Sequence, residues 1–148
     1  MIEPLPEVST GGARLDAMFR ELCCGSEDAL HVCWAFYQFL HVVDDLVDRD
    51  VPVAVDTVGF HLIAFTEVVA CNPFFQANRD LLMGAFRVAV VEWLDSEEWA
   101  KREDVWDKMA ARVLKSQYQN LFFLIASLCG GVAHMRAMTA KYREYQYQ

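Results

Sequence analysis

The stretch that decides the fold is Ser26-Glu27-Asp28-Ala29-Leu30-His31-Val32-Cys33-Trp34-Ala35-Phe36-Tyr37-Gln38-Phe39-Leu40-His41-Val42-Val43-Asp44-Asp45-Leu46-Val47-Asp48. It opens with a serine followed by two carboxylates, the pattern of a helix N-cap and of a first turn that favours negative charge. At 100° per residue, with Asp44 as origin, Leu30, Cys33, Tyr37, Leu40, His41 and Asp48 all fall within about 60° of it. The stretch therefore predicts one helix from Ser26 to about Asp48. The carboxylates at its end continue the apolar face, as the polar mouth of an apolar cavity would. Asp44 and Asp48 share that face about 6 Å apart, with Asp45 about 100° round. Like charges so placed repel, and water or a cation must relieve them.

Outward from this helix, glycine and proline fall between periodic segments, and no alternating strand pattern appears. A first helix is expected from about Ala13 to Cys24, with Leu15, Met18, Phe19 and Leu22 as its stripe and Gly25 as its end. Asp50 and Pro52 are expected to open a third that reaches about Ala70, and Asn72-Pro73 a fourth that reaches Trp93 or Leu94. Asp95 with Glu98 resembles a capping box and would start a fifth, from Ser96 to Cys129. At 1.5 Å per residue that helix would extend about 50 Å, long enough to imply a kink or an intersubunit contact. Gly130-Gly131 ends it, and a last helix follows from Val132 to about Tyr145. The expected fold class is all-α: one helical domain over 13–148, a bundle of about six helices, after an irregular N-terminus at 1–12.

Composition bounds the function. A chain of 148 residues with 55% hydrophobic residues buries a sizeable core. Its net charge of -8 repels phosphate backbones and anionic lipid, so nucleic acid is not an expected partner. The five cysteines, Cys23, Cys24, Cys33, Cys71 and Cys129, are odd in number and lack paired C-x-x-C spacing, which argues against a disulfide framework and a zinc site and points to a cytoplasmic setting. The start of the chain lacks the basic and apolar regions of a signal peptide, and no fully apolar run is long enough to predict a membrane span.

Tyr37-Gln38-Phe39-Leu40-His41-Val42-Val43-Asp44-Asp45-Leu46-Val47-Asp48 resembles the first aspartate-rich motif of the type I isoprenoid synthase superfamily, most closely its phytoene and squalene synthase branch. In that branch a tyrosine precedes the first acid by seven residues, as Tyr37 precedes Asp44. The resemblance implies an isoprenoid-synthase-like bundle of about half the usual size. It implies a prenyl diphosphate held through Mg²⁺ on Asp44, Asp45 and Asp48, and a homodimer that would complete the missing half. His41, one turn from the acids, and Tyr37 are the candidate substrate-binding residues. Carboxylates are hard oxygen ligands, and Mg²⁺ held by one or two of them keeps positions for water and phosphate oxygens.

A second acid-acid-x-x-acid run, Glu103-Asp104-Val105-Trp106-Asp107, is the nearest candidate for the facing half of the site. Glu103 and Asp107 lie within about 40° of the line through Ala110, Leu114, Gln117 and Leu121. Lys101, Arg102 and Lys108 are interleaved, the pattern of a solvated face with local ion pairs. Two alternatives stand beside the diphosphate reading. One is a non-catalytic helical interaction module with the same fold; the other is a small all-α nucleotide pyrophosphohydrolase, with a nucleoside diphosphate as its ligand.

Overall fold

The structure is a computed structural model in which residues 10–146 are described. Seven helices account for them: α1 (Thr10–Leu22), α2 (Glu27–Asp48), α3 (Val55–Cys71), α4 (Pro73–Ala77), α5 (Arg79–Trp99), α6 (Val105–Ser116) and α7 (Gln119–Gln146). There is no strand among the described residues, and the chain is all-α. Thr10 to Gly12 belong to α1, so that part of the expected irregular N-terminus is helical; residues 1–9 lie outside the described residues.

The opening of α2 follows its sequence signal. Ser26 is the N-cap, and its hydroxyl accepts the Ala29 N–H at 3.2 Å. Before it, α1 closes in a Schellman turn: Gly25 N–H reaches Arg20 C=O at 3.2 Å, and Cys24 N–H reaches Glu21 C=O at 3.1 Å. Cys24 (φ 52°) holds the left-handed position where glycine is usual.

Three expected boundaries are corrected. The third helix starts at Val55 rather than near Asp50, because Arg49 (φ 58°) turns the chain out of α2 and Ala54 is still extended (ψ 144°). The expected fourth helix is divided at Asn78 into the single turn of α4 and the longer α5. Asp95 caps nothing: α5 runs through it to Trp99, and the Ser96 hydroxyl donates back to Trp93 C=O at 2.6 Å. Burial of Ala89 and Ser96 keeps that helix going past a local cap signal. The cap that forms is Asp104, whose carboxylate accepts the N–H groups of Trp106 and Asp107. The 50 Å helix therefore does not exist, since the chain turns at 100–104 and again at 117–118. Gly131 (φ 85°, ψ 179°) does break the last segment, as a kink inside α7.

The core lies where α1, α2, α4, α5 and α7 converge, around the fully buried Phe19, Leu22, Phe36, Phe75, Leu82 and Phe122. Buried Asn72 ties the α3–α4 joint to α2: its Nδ2 donates to Asp28 C=O at 3.0 Å and its Oδ1 caps Phe75 N–H at 2.9 Å. Helix α3 has no buried residue although it is apolar on most sides, and Phe60 and Ile63 stand exposed. By length and composition alone, Val105–Gln146 holds a window of mean hydropathy 1.6 in the range of a membrane span, 33% of it buried.

Candidate functional site: a carboxylate mouth over an apolar cavity

The last three turns of α2 and the facing half of α5 enclose a cavity of about 460 Å³. Its walls are Phe39, Leu40 and Val43 from α2 with Phe86, Ala89 and Val90 from α5. Asp44, Trp93 and Lys115 stand where its wall turns polar, and Tyr118, at the turn before α7, and His41 complete the lining. The apolar stripe of α2 thus runs into the wall of this cavity, and Asp44 sits at its polar edge.

Asp44 and Asp48 meet a third acid there. Ligand oxygens of Asp44, Asp48 and Glu97 lie within 4.8 Å of one another. Two residues hold the group in place. Trp93 Nε1–H donates to Asp44 Oδ1 at 3.0 Å, and Lys115 Nζ reaches both Asp44 Oδ1 (3.3 Å) and Asp48 Oδ2 (3.1 Å). Burial disfavours the charged Lys115 ammonium, but the Asp48 hydrogen bond and the Asp44 charge outweigh it and raise its pKa above the ordinary lysine value. One ammonium does not balance three carboxylates, so the mouth keeps an excess of negative charge.

The donor set fits a hard divalent cation. Oxygens on one Mg²⁺ ion are about 3.0 Å apart when adjacent and about 4.2 Å when opposite, given bonds of about 2.1 Å, so a cluster spread over 4.8 Å closes on one ion by side-chain shifts of about 1 Å. Asp44, Asp48 and Glu97 would be the ligands, and Asp45 is half-buried beside them, its charge acting on His41.

His41 faces inward. Its Nε2 is buried and has no hydrogen-bond partner among the described atoms, and its ring lies 4.1 Å from that of Tyr37. Burial lowers its pKa below the usual histidine value, against the opposing pull of Asp45 and Asp44. Burial likewise pushes the Tyr37 hydroxyl up to about 12. The His41 ring therefore lines the cavity with its Nε2 buried within the wall.

The echo run lies elsewhere. Glu103 is exposed in the turn before α6, and Asp107, in the first turn, faces Arg102 at 3.7 Å. Eight residues separate Asp107 from Lys115, about 12 Å along the helix, so the structure does not bring Glu103 or Asp107 to the Asp44 cluster. Sequence reasoning missed Glu97 because it broke the helix at Asp95. On an unbroken α5, Ala85, Ala89, Trp93 and Glu97 follow one another at four-residue spacing and share a face. Lys115 had a similar signal, four residues beyond buried Ala111. No family model, curated protein or solved structure matches this chain.

Proposed function

We propose that this protein binds a prenyl diphosphate, its hydrocarbon chain in the α2–α5 cavity and its diphosphate at the mouth through Mg²⁺ on Asp44, Asp48 and Glu97. The observation that carries the reading is the junction itself: a cavity of about 460 Å³ with apolar walls and Asp44 in its lining, where Asp44 meets Asp48 and Glu97 from two facing helices. Acids alone would repel a diphosphate, and bound Mg²⁺ supplies the positive charge that neutralises it. The protein's own groups have distinct parts. Trp93 fixes one oxygen of Asp44, leaving its other oxygen free to bind a ligand. Lys115 neutralises Asp44 and Asp48 in the free protein and, once released, is the nearest cation for phosphate oxygens. The isoprenoid-synthase resemblance supports the reading at Asp44, Asp45 and Asp48, and the exposed apolar residues of α3, α5 and α6 leave surface for a homodimer.

One observation favours the non-catalytic alternative: Lys115 already satisfies Asp44 and Asp48 without any ligand. Melting curves separate the two. A ligand at about 100 times its Kd adds about 2.7 kcal/mol, a rise of several degrees for a domain of this size. Mg²⁺ with geranyl diphosphate should give that rise, Mg²⁺ with pyrophosphate a smaller one, and Asp44→Asn should abolish both. Identical melting curves with and without these ligands would sink the diphosphate reading.

A further inference from the structure

Four of the five cysteines, Cys23, Cys24 and Cys33 with the distant Cys129, meet at one junction of α1, α2 and α7. Cys23 Sγ and Cys33 Sγ touch at 3.6 Å, both fully buried. Cys129, half-buried on α7, packs against the buried cluster that holds Cys23 and Cys33. Cys24 is exposed, with its Sγ 3.3 Å from His134 Nε2. The same Nε2 is 3.0 Å from Leu22 C=O, an acceptor only, so this nitrogen carries the proton, and its one N–H is shared between that carbonyl and the Cys24 sulfur. Gly130 makes this contact possible, because a Cβ there would stand 2.5 Å from His134 Cδ2. The thiols thus grade from an exposed one, through a half-buried one, to a buried pair in contact.

We infer that this junction is a thiol–disulfide exchange site, in which Cys24 reacts with a low-molecular-weight disulfide and the oxidation passes through Cys129 to a Cys23–Cys33 disulfide. The Cys24 thiolate attacks one sulfur of the small disulfide, forming a mixed disulfide and releasing one small thiol. Cys129, having lost its proton to solvent, attacks Cys24 Sγ and expels the second small thiol. Cys23 then attacks Cys129 Sγ and frees Cys24, and Cys33 attacks Cys23 Sγ and frees Cys129. In sum, Cys23 and Cys33 each lose a hydrogen, the small disulfide becomes two thiols, and Cys24 and Cys129 return to their starting state. The direction follows from place: Cys23 and Cys33 touch and are fully buried, out of reach of small thiols, and burial pushes the Cys33 thiol well above its ordinary value. Basic thiolates leave slowly, so a disulfide that reaches the buried pair stays there.

The test uses the full reduced chain, oxidised glutathione, alkylation of the remaining thiols and peptide mass spectrometry. The wild type should lose two hydrogens and yield joined Cys23 and Cys33 peptides, with Cys24 and Cys129 alkylated. Cys24→Ser should slow this by about tenfold or more, and Cys33→Ala, checked for folding by melting, should stop the exchange at Cys23–Cys129. Cys71, exposed at the end of α3, provides the internal comparison and should carry at most an unresolved glutathione. Stable glutathione on Cys24 with no internal disulfide, or a rate that neither Cys24→Ser nor Cys129→Ser changes, would overturn the inference.

Discussion

The two ends of α2 each bring a tryptophan against an aspartate, and only one of these pairs borders a cavity. Near the start of α2, Trp34 Nε1–H donates to Asp16 Oδ1 at 2.9 Å, and Arg20 donates to the same carboxylate at 2.7 Å. Near its end, Trp93 donates to Asp44 at 3.0 Å beside Lys115. Burial opposes the charge on Asp16, but the bonds from Arg20 and Trp34, with the Arg20 charge, win and hold its pKa below the ordinary value. Asp16 pairs with one guanidinium beside a filled aromatic core, where Phe19 meets Trp34 edge-on at 5.2 Å. Asp44 shares one ammonium with Asp48, has Glu97 close by and borders a cavity. The same local bond is structural where charge and space are both filled and is available for a ligand where neither is.

The largest expected contrast is in stability. Phe36→Ala empties a site in contact with Phe65, Phe75 and Phe86 and should cost about 3–5 kcal/mol in urea denaturation. Leu46→Ala, on the exposed end of the same helix, should cost about 0.5 kcal/mol or less. Equal losses would remove the distinction between a filled end and an open one.

Next in size is the α7 kink. Gly131→Ala places a side chain at φ 85°, ψ 179°, a region open essentially to glycine, and should cost about 1–3 kcal/mol. A melting point unchanged from wild type would mean that the kink is not required.

Smaller again are the tryptophan bonds. Trp34→Phe and Trp93→Phe should each cost about 1 kcal/mol in the free protein, so they separate only when ligand is added. Mg²⁺ with geranyl diphosphate should then stabilise the Trp34 variant like wild type and the Trp93 variant less.

The smallest effects are in pH dependence. The folded chain lowers the His41 pKa, so its contribution is full above the unfolded value of about 6.5 and is lost as pH falls through the folded value. His41→Gln should flatten the stability curve between pH 7 and 5, measured in a His61→Gln background because burial lowers His61 too. Lys115 has the opposite sign: its raised pKa gives stability that is full below the unfolded value of about 10.4 and lost as pH rises through the folded one. Its side chain is 45% exposed, so Lys115→Met should remove well under about 1 kcal/mol.

The all-α class, the extent of α2 and the inward turn of Asp44 were legible because apolar periodicity and the Ser26 cap agree. The course of α5 was not, because Asp95 and Glu98 imitate a helix start while burial of Ser96 carries the helix past them. That single local misreading hid Glu97, since a ligand on a facing helix is visible only when both helices have their true lengths. The thiol junction was invisible for another reason. Cys24 and His134 are 110 positions apart, and only the bend at Gly131 and the space at Gly130 bring them together.

The central claim, that the open end of α2 is a divalent-metal site, is tested most directly by Mn²⁺, a paramagnetic ion that takes the same hard oxygen ligands as Mg²⁺. The indole N–H signals of the four tryptophans can be followed by NMR as Mn²⁺ is added. The account predicts that the Trp93 signal, bonded to Asp44, broadens away first while the Trp34 signal, bonded to Asp16, stays sharp, and that Asp48→Asn with Glu97→Gln removes the difference. A Trp93 signal that persists, or four signals that fade together, would contradict it.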